Sequence, residues 1–184
     1  MKKLYLLIAL AVAAAAVNAA VFAYYPITVN ITGVRPVVFD YGSNANQPDL
    51  GTGNNIAVTL GSNRTSVTIE IHPTYQYTYY HNITLVRNID TGKAYYVAFR
   101  VTQPITGWPP GSVAKMIVYT SGGTKVIEVD LKQQYTTGWI GPLSAGDYYR
   151  IDFYIYYPEG YPLPNNTQVE VQLIYSPQNT EAPP

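Results

Sequence analysis

The chain has 184 residues, no cysteine, and 11 basic against 11 acidic side chains, so it carries neither disulfide staples nor an electrostatic footprint for nucleic acid. Charged residues make up 12% of it, about half the usual share, whereas tyrosine occurs 19 times. So few titratable groups, with two histidines among them, argue against an enzyme, and a weakly charged surface rich in Tyr, Thr and Asn suits glycans or further copies of the chain.

In chain order, residues 1–19 read as an export signal. Lys2 and Lys3 form the positive n-region, Leu4 to Val17 the apolar core, and Val17-Asn18-Ala19 a small-residue cleavage pattern. Cutting there leaves Ala20 as the first mature residue, and a second candidate cut precedes Tyr24. The expectation is a secreted, cell-surface protein with no membrane association after cleavage. A retained membrane helix or the assembly helix of a type IV pilin is the competing reading, but the run is short for a span and leads straight into a β pattern.

Next comes the expected donor segment, residues 20–32, within which the stretch "VFAYYPITVNITG" begins at Val21 and runs on to Gly33. Val21, Ala23, Tyr25, Ile27, Val29 and Ile31 share one face, with Thr28, Asn30 and Thr32 between them. A strand of about eleven residues spans roughly 36 Å, twice the common length. Two packings fit. The strand folds back into its own sheet, or it leaves across a hinge at Gly33 and Pro36 and adds to a neighbouring subunit. Left exposed on an edge, it would be an aggregation hazard.

Residues 33–175 have period two nearly throughout. Ile56, Val58 and Leu60 share a face, as do Val67, Ile69 and Ile71, with "GSNR" turning the chain between them. Ile83, Leu85 and Ile89 follow a tyrosine-rich run, and Tyr95, Val97, Phe99 and Val101 come after "DTGK". Further strands are predicted at Lys115–Tyr119, Lys125–Leu131, Tyr149–Tyr157 and Val169–Tyr175. About nine short strands without a convincing helix predict an all-β domain, a single two-sheet sandwich of jelly-roll or Greek-key connectivity. The tail 176–184, "SPQNTEAPP" from its first residue, is too polar and proline-rich to fold alone.

Candidate chemistry is sparse. His72 and His81 flank the tyrosine run without metal-ligand spacing, so a site with Glu70 is less expected than two surface imidazoles, and no metal or cofactor is expected. Asp147 with Asp152, and Glu128 with Asp130, are carboxylate pairs of the kind expected on any polar strand face. "YQYTYY" is ordinary strand filling or, more sharply, a sugar-stacking platform, and Trp108 and Trp139 lie in loop-like segments. Four sequons, at Asn30, Asn63, Asn82 and Asn165, are candidate N-glycosylation sites.

The segments "SNANQPDLG", "HPTYQYTYYHNITLVRN", "KAYYVAFRV", "GPLSAGDYYRIDF", "PEGYPLP" and "LIYSPQ" resemble those of secreted proteins of hyperthermophilic archaea. Among those are the subunits of archaeal bundling pili, similar in fold to the TasA/camelysin biofilm-fibre proteins of bacteria. The archaeal resemblance covers essentially the whole mature chain, and the bacterial one is coarse: a signal peptide, a jelly roll and an Ile-Thr-Leu-Val-Arg-Asn strand before a turn. It implies a structural subunit of an extracellular filament acting in biofilm and cell adhesion, with Val21 to Ile31 as a donor strand inserted into the jelly roll of the next copy. Its partners would be other copies, along and between filaments, and glycans. The alternatives are a monomeric carbohydrate-binding module, a surface-layer-associated β-sandwich and a type IV pilin-like subunit.

Overall fold

A computed structural model of the chain describes Lys3 and residues 26–184. Val21, Ala23, Tyr25 and the signal segment other than Lys3 therefore lie outside the described residues. Ten strands follow: β1 (Val37–Tyr41), β2 (Ala57–Leu60), β3 (Val67–Glu70), β4 (Gln76–Asn88), β5 (Tyr95–Gln103), β6 (Val113–Thr120), β7 (Lys125–Asp130), β8 (Ile140–Leu143), β9 (Tyr148–Tyr157) and β10 (Glu170–Ser176). All belong to one compact unit, residues 34–184.

The fold is an all-β sandwich built from antiparallel pairs. One sheet has the order β1-β4-β9-β6-β7, a second β10-β5-β8, and the β2–β3 hairpin stands as a third. Period-two patterning explains the layering. In β9, Tyr149, Ile151, Phe153, Ile155 and Tyr157 point one way, and Tyr148, Arg150, Asp152, Tyr154 and Tyr156 the other. The inward set meets two hydrophobic clusters. Val97, Phe99, Val101, Val118, Val129 and Ile151 belong to the one under the three-stranded sheet. Ile56, Val58, Tyr80, Ile83 and Ile155 form the other, under the hairpin, and Trp108 and Phe153 touch both.

The expected two sheets are three because the second layer is divided between β10-β5-β8 and β2–β3. β1 escaped the sequence reading because Val37 and Val38 are adjacent and both buried, which breaks alternation. β8 escaped it because "IGPL" is four residues with a proline inside. β4 begins seven residues before Ile83, at Gln76, and takes in the tyrosine run. Its register slips between Tyr80 and Thr84, a bulge that hides the continuity of the strand. Gly42 is required beside that bulge: a Cβ there would collide with the Asn82 carbonyl. Ile89 lies just past the strand end and is exposed.

Candidate functional site

The division of the second layer leaves an opening. β10 ends the three-stranded sheet and β3 ends the hairpin, and each is paired on one side only. A cleft of about 440 Å³ lies between them, with Val37 and Phe39 of β1 as its floor. Val67 lines one wall, and Val171, Leu173 and Tyr175 the other. Val171 and Leu173 are core-facing but only half-buried, whereas Val97, Phe99 and Val101 on the adjacent β5 are fully buried. The difference is physical: β5 has a strand on each side, and among the described residues β10 has none on its cleft side. Apolar side chains at an unfilled gap lose both dispersion contacts and shelter from water.

Of the long N-terminal segment, residues 26–36 carry no strand pairing, and Ile27, Val29 and Ile31 are 87%, 71% and 90% exposed. A strand needs a neighbour for its backbone groups, and among the described residues none pairs with 26–36. Gly33 stands in open space. Pro36 is buried and its carbonyl accepts the Ile89 N–H at 2.7 Å, so it is a fixed point at the start of β1.

The outer face of the five-stranded sheet is covered by tyrosine. Tyr77 of β4 is two-thirds exposed and lies with ring centroids 4.7 Å from Tyr156 and 5.8 Å from Tyr154. Tyr79 packs edge-on to Tyr154 at 6.4 Å, and its hydroxyl donates to Asp152 Oδ2 at 2.7 Å. Asp152 is fully buried at the bulge, where it also accepts from the Asn82 N–H at 2.7 Å and Arg150 Nε at 3.0 Å. The Arg150 guanidinium lies over the Tyr119 ring at 4.5 Å. Burial and these bonds raise the Tyr79 pKa far above that of free tyrosine, so its ring is held by a neutral hydroxyl.

The remaining predicted residues separate. His72 pairs with Asp49 at 3.0 Å and Glu70 at 3.6 Å rather than with His81. Asp147 caps its own turn at the Tyr148 N–H, away from the Asp152 network. Glu128 binds Lys115 and Lys125, each at 2.7 Å, which brings its pKa down to about 2. Asp130 instead accepts the Lys132 N–H at 2.9 Å. Trp108 donates to Thr167 and fills the junction of the two clusters, while Trp139 donates to the Glu181 carbonyl at 2.6 Å, fastening the tail. Asn30, Asn63 and Asn165 are exposed. Asn82 is not: its Nδ2 donates to Ser43 Oγ at 2.8 Å, its Oδ1 is buried, and Thr84 of the same triplet is buried. Among the described residues, no group of three or more metal-ligating side chains is placed to hold an ion, and no helix is long and apolar enough to cross a membrane.

Sequence reasoning missed the cleft residues and the buried carboxylates Asp49 and Asp152 as organising centres. Only the one-sided pairing of β3 and β10 reveals the former. Comparison with protein-family models and with curated proteins finds no match to this chain.

Proposed function

We propose that the protein is a structural subunit of an extracellular filament, assembled by insertion of residues 21–31 of one copy into the cleft between β3 and β10 of the next. The observation that carries the reading is that cleft: an apolar gap flanked by two strands that, among the described residues, each lack a partner on the facing side. A strand placed there would join the three-stranded sheet to the hairpin, giving a six-stranded second layer opposite the five-stranded sheet. The N-terminal segment has the matching pattern, with exposed Ile27, Val29 and Ile31 alternating with Thr28, Asn30 and Thr32. Apolar side chains would enter the cleft, and the Asn30 sequon would remain on the solvent side, compatible with a glycan.

Burying three such side chains contributes about 6 kcal/mol at roughly 2 each, before ordering costs. The outer residues Val21, Ala23 and Tyr25 would add to this. Because donor and acceptor lie at different places on the chain, the contact is heterologous and repeats without closing, which builds a fibre. Association then becomes part of folding stability, in a chain without cysteine and with only 12% charged residues. The resemblance to archaeal bundling-pilus subunits points the same way, and adds secretion, biofilm and adhesion as the setting. Electron microscopy of the mature chain and of a version lacking residues 20–32 tests the reading. Filaments from the first and folded, non-polymerising subunits from the second support it; intact filaments from the deletion refute it.

A further inference from the structure

We propose that the tyrosine-covered outer face of the five-stranded sheet, continued into the cavity beside the 44–50 loop, binds an uncharged oligosaccharide. That cavity, of about 430 Å³, is lined by Asn44, Gln47, Asp49, Tyr79 and His81, with Leu50 and Ile56 among its apolar contacts. It is a shallow recess, open to solvent, that combines apolar surface with a few polar groups. Tyr79 belongs to both features: it lines the cavity, and its ring packs on Tyr154, which in turn stacks with Tyr77. The recess and the tyrosine-covered face thus share a residue of β4. Sugar rings suit this combination, because their C–H faces lie on aromatic faces while their hydroxyls need amide and imidazole partners, here Asn44, Gln47 and His81.

Charge decides the class of sugar. No lysine or arginine lines the cavity, and its one carboxylate, Asp49, is already engaged by the His72 ring and by the His72 and Leu50 N–H groups. On the sheet face the charged groups engage one another: Arg150 with Asp152, and Lys115 and Lys125 with Glu128. Among these residues, neither feature therefore offers an unpaired lysine or arginine to an acidic ligand, and an uncharged ligand is the complement. The Tyr79 ring is held in place in advance by its bond to Asp152, which reduces the ordering cost of binding.

The test is calorimetric titration of the mature chain with neutral hexasaccharides of glucose, mannose and galactose, with polygalacturonate as the acidic probe. At least one neutral probe should bind, and a Tyr77→Ala/Tyr156→Ala variant should lose about tenfold in affinity while melting near the parent temperature. Gln47→Ala/His81→Ala should weaken the same probe from the cavity end. The binding should persist in a Leu173→Asp variant, whose substitution lies in the cleft rather than on this face. Absence of binding to every neutral probe, preference for polygalacturonate, or indifference to the tyrosine variant would each overturn the proposal. So would a tyrosine variant that alters only the bundling of filaments that take up no sugar, since the face would then contact other copies.

Discussion

Val29→Asp separates assembly from folding. Val29 is 71% exposed in the single chain, so replacing it there should change subunit stability by no more than about 0.5 kcal/mol. Inserted in a neighbour's cleft, the same position would face Leu173, Val171 or Phe39. The substitution then forfeits about 2 kcal/mol of burial. It also places a carboxylate in an apolar gap without a cation, at a cost of at least about 2 kcal/mol more even after partial hydration. A total near 4 kcal/mol raises the critical concentration for assembly about a thousandfold. Sedimentation of polymer across a concentration series, with thermal melting of the soluble fraction, reads both quantities. Thr28→Asp, on the opposite face of the same segment, should shift the critical concentration little. Assembly of Val29→Asp at the parent concentration, or equal damage from Thr28→Asp, would refute the reasoning.

Leu173→Asp disables the acceptor while leaving the donor segment intact, so substoichiometric amounts mixed with the parent should shorten filaments in electron micrographs; unchanged lengths would exclude the cleft as the acceptor. Peptide mass spectrometry should find glycan at Asn63 and none at Asn82, whose amide is bound to Ser43; Asn82→Ala should also cost about 1–2 kcal/mol by melting, because the residue holds a left-handed backbone at φ 51°. Glu128 has its pKa lowered from 4.5 to about 2 by bonds to Lys115 and Lys125, so its contribution is present above 4.5 and fades as pH falls through about 2. Both lysines reach solvent, which limits that contribution to about 1 kcal/mol. The stability difference between the parent and Glu128→Gln should follow that course, and a difference independent of pH would show the pairs to be inert.

What could be read from the chain and what could not divide along a physical line. Alternation is a local signal, and it found eight of the strands because Val97, Phe99 and Val101, or Tyr149, Ile151 and Phe153, repeat with the pleat that buries them. It failed at Val37 and Val38, where both faces of a short strand are covered, and at the β4 bulge, where the register slips between Tyr80 and Thr84. The cleft was invisible for a deeper reason. Leu173 has the same alternation as Phe99, and nothing in its own neighbourhood along the chain records that β10 lacks a second partner while β5 has two. A vacancy is a property of pairing between distant segments. Its complement is legible, however, because six apolar residues in alternation at Val21 to Ile31 demand a covered face. In the described part of that stretch, Ile27, Val29 and Ile31 stand exposed, and an uncovered apolar ridge in a protein that also has an unfilled apolar gap is a state that association relieves. The sequence thus supplied the ridge and the fold supplied the gap, and the proposed filament is the arrangement in which neither is left open to water.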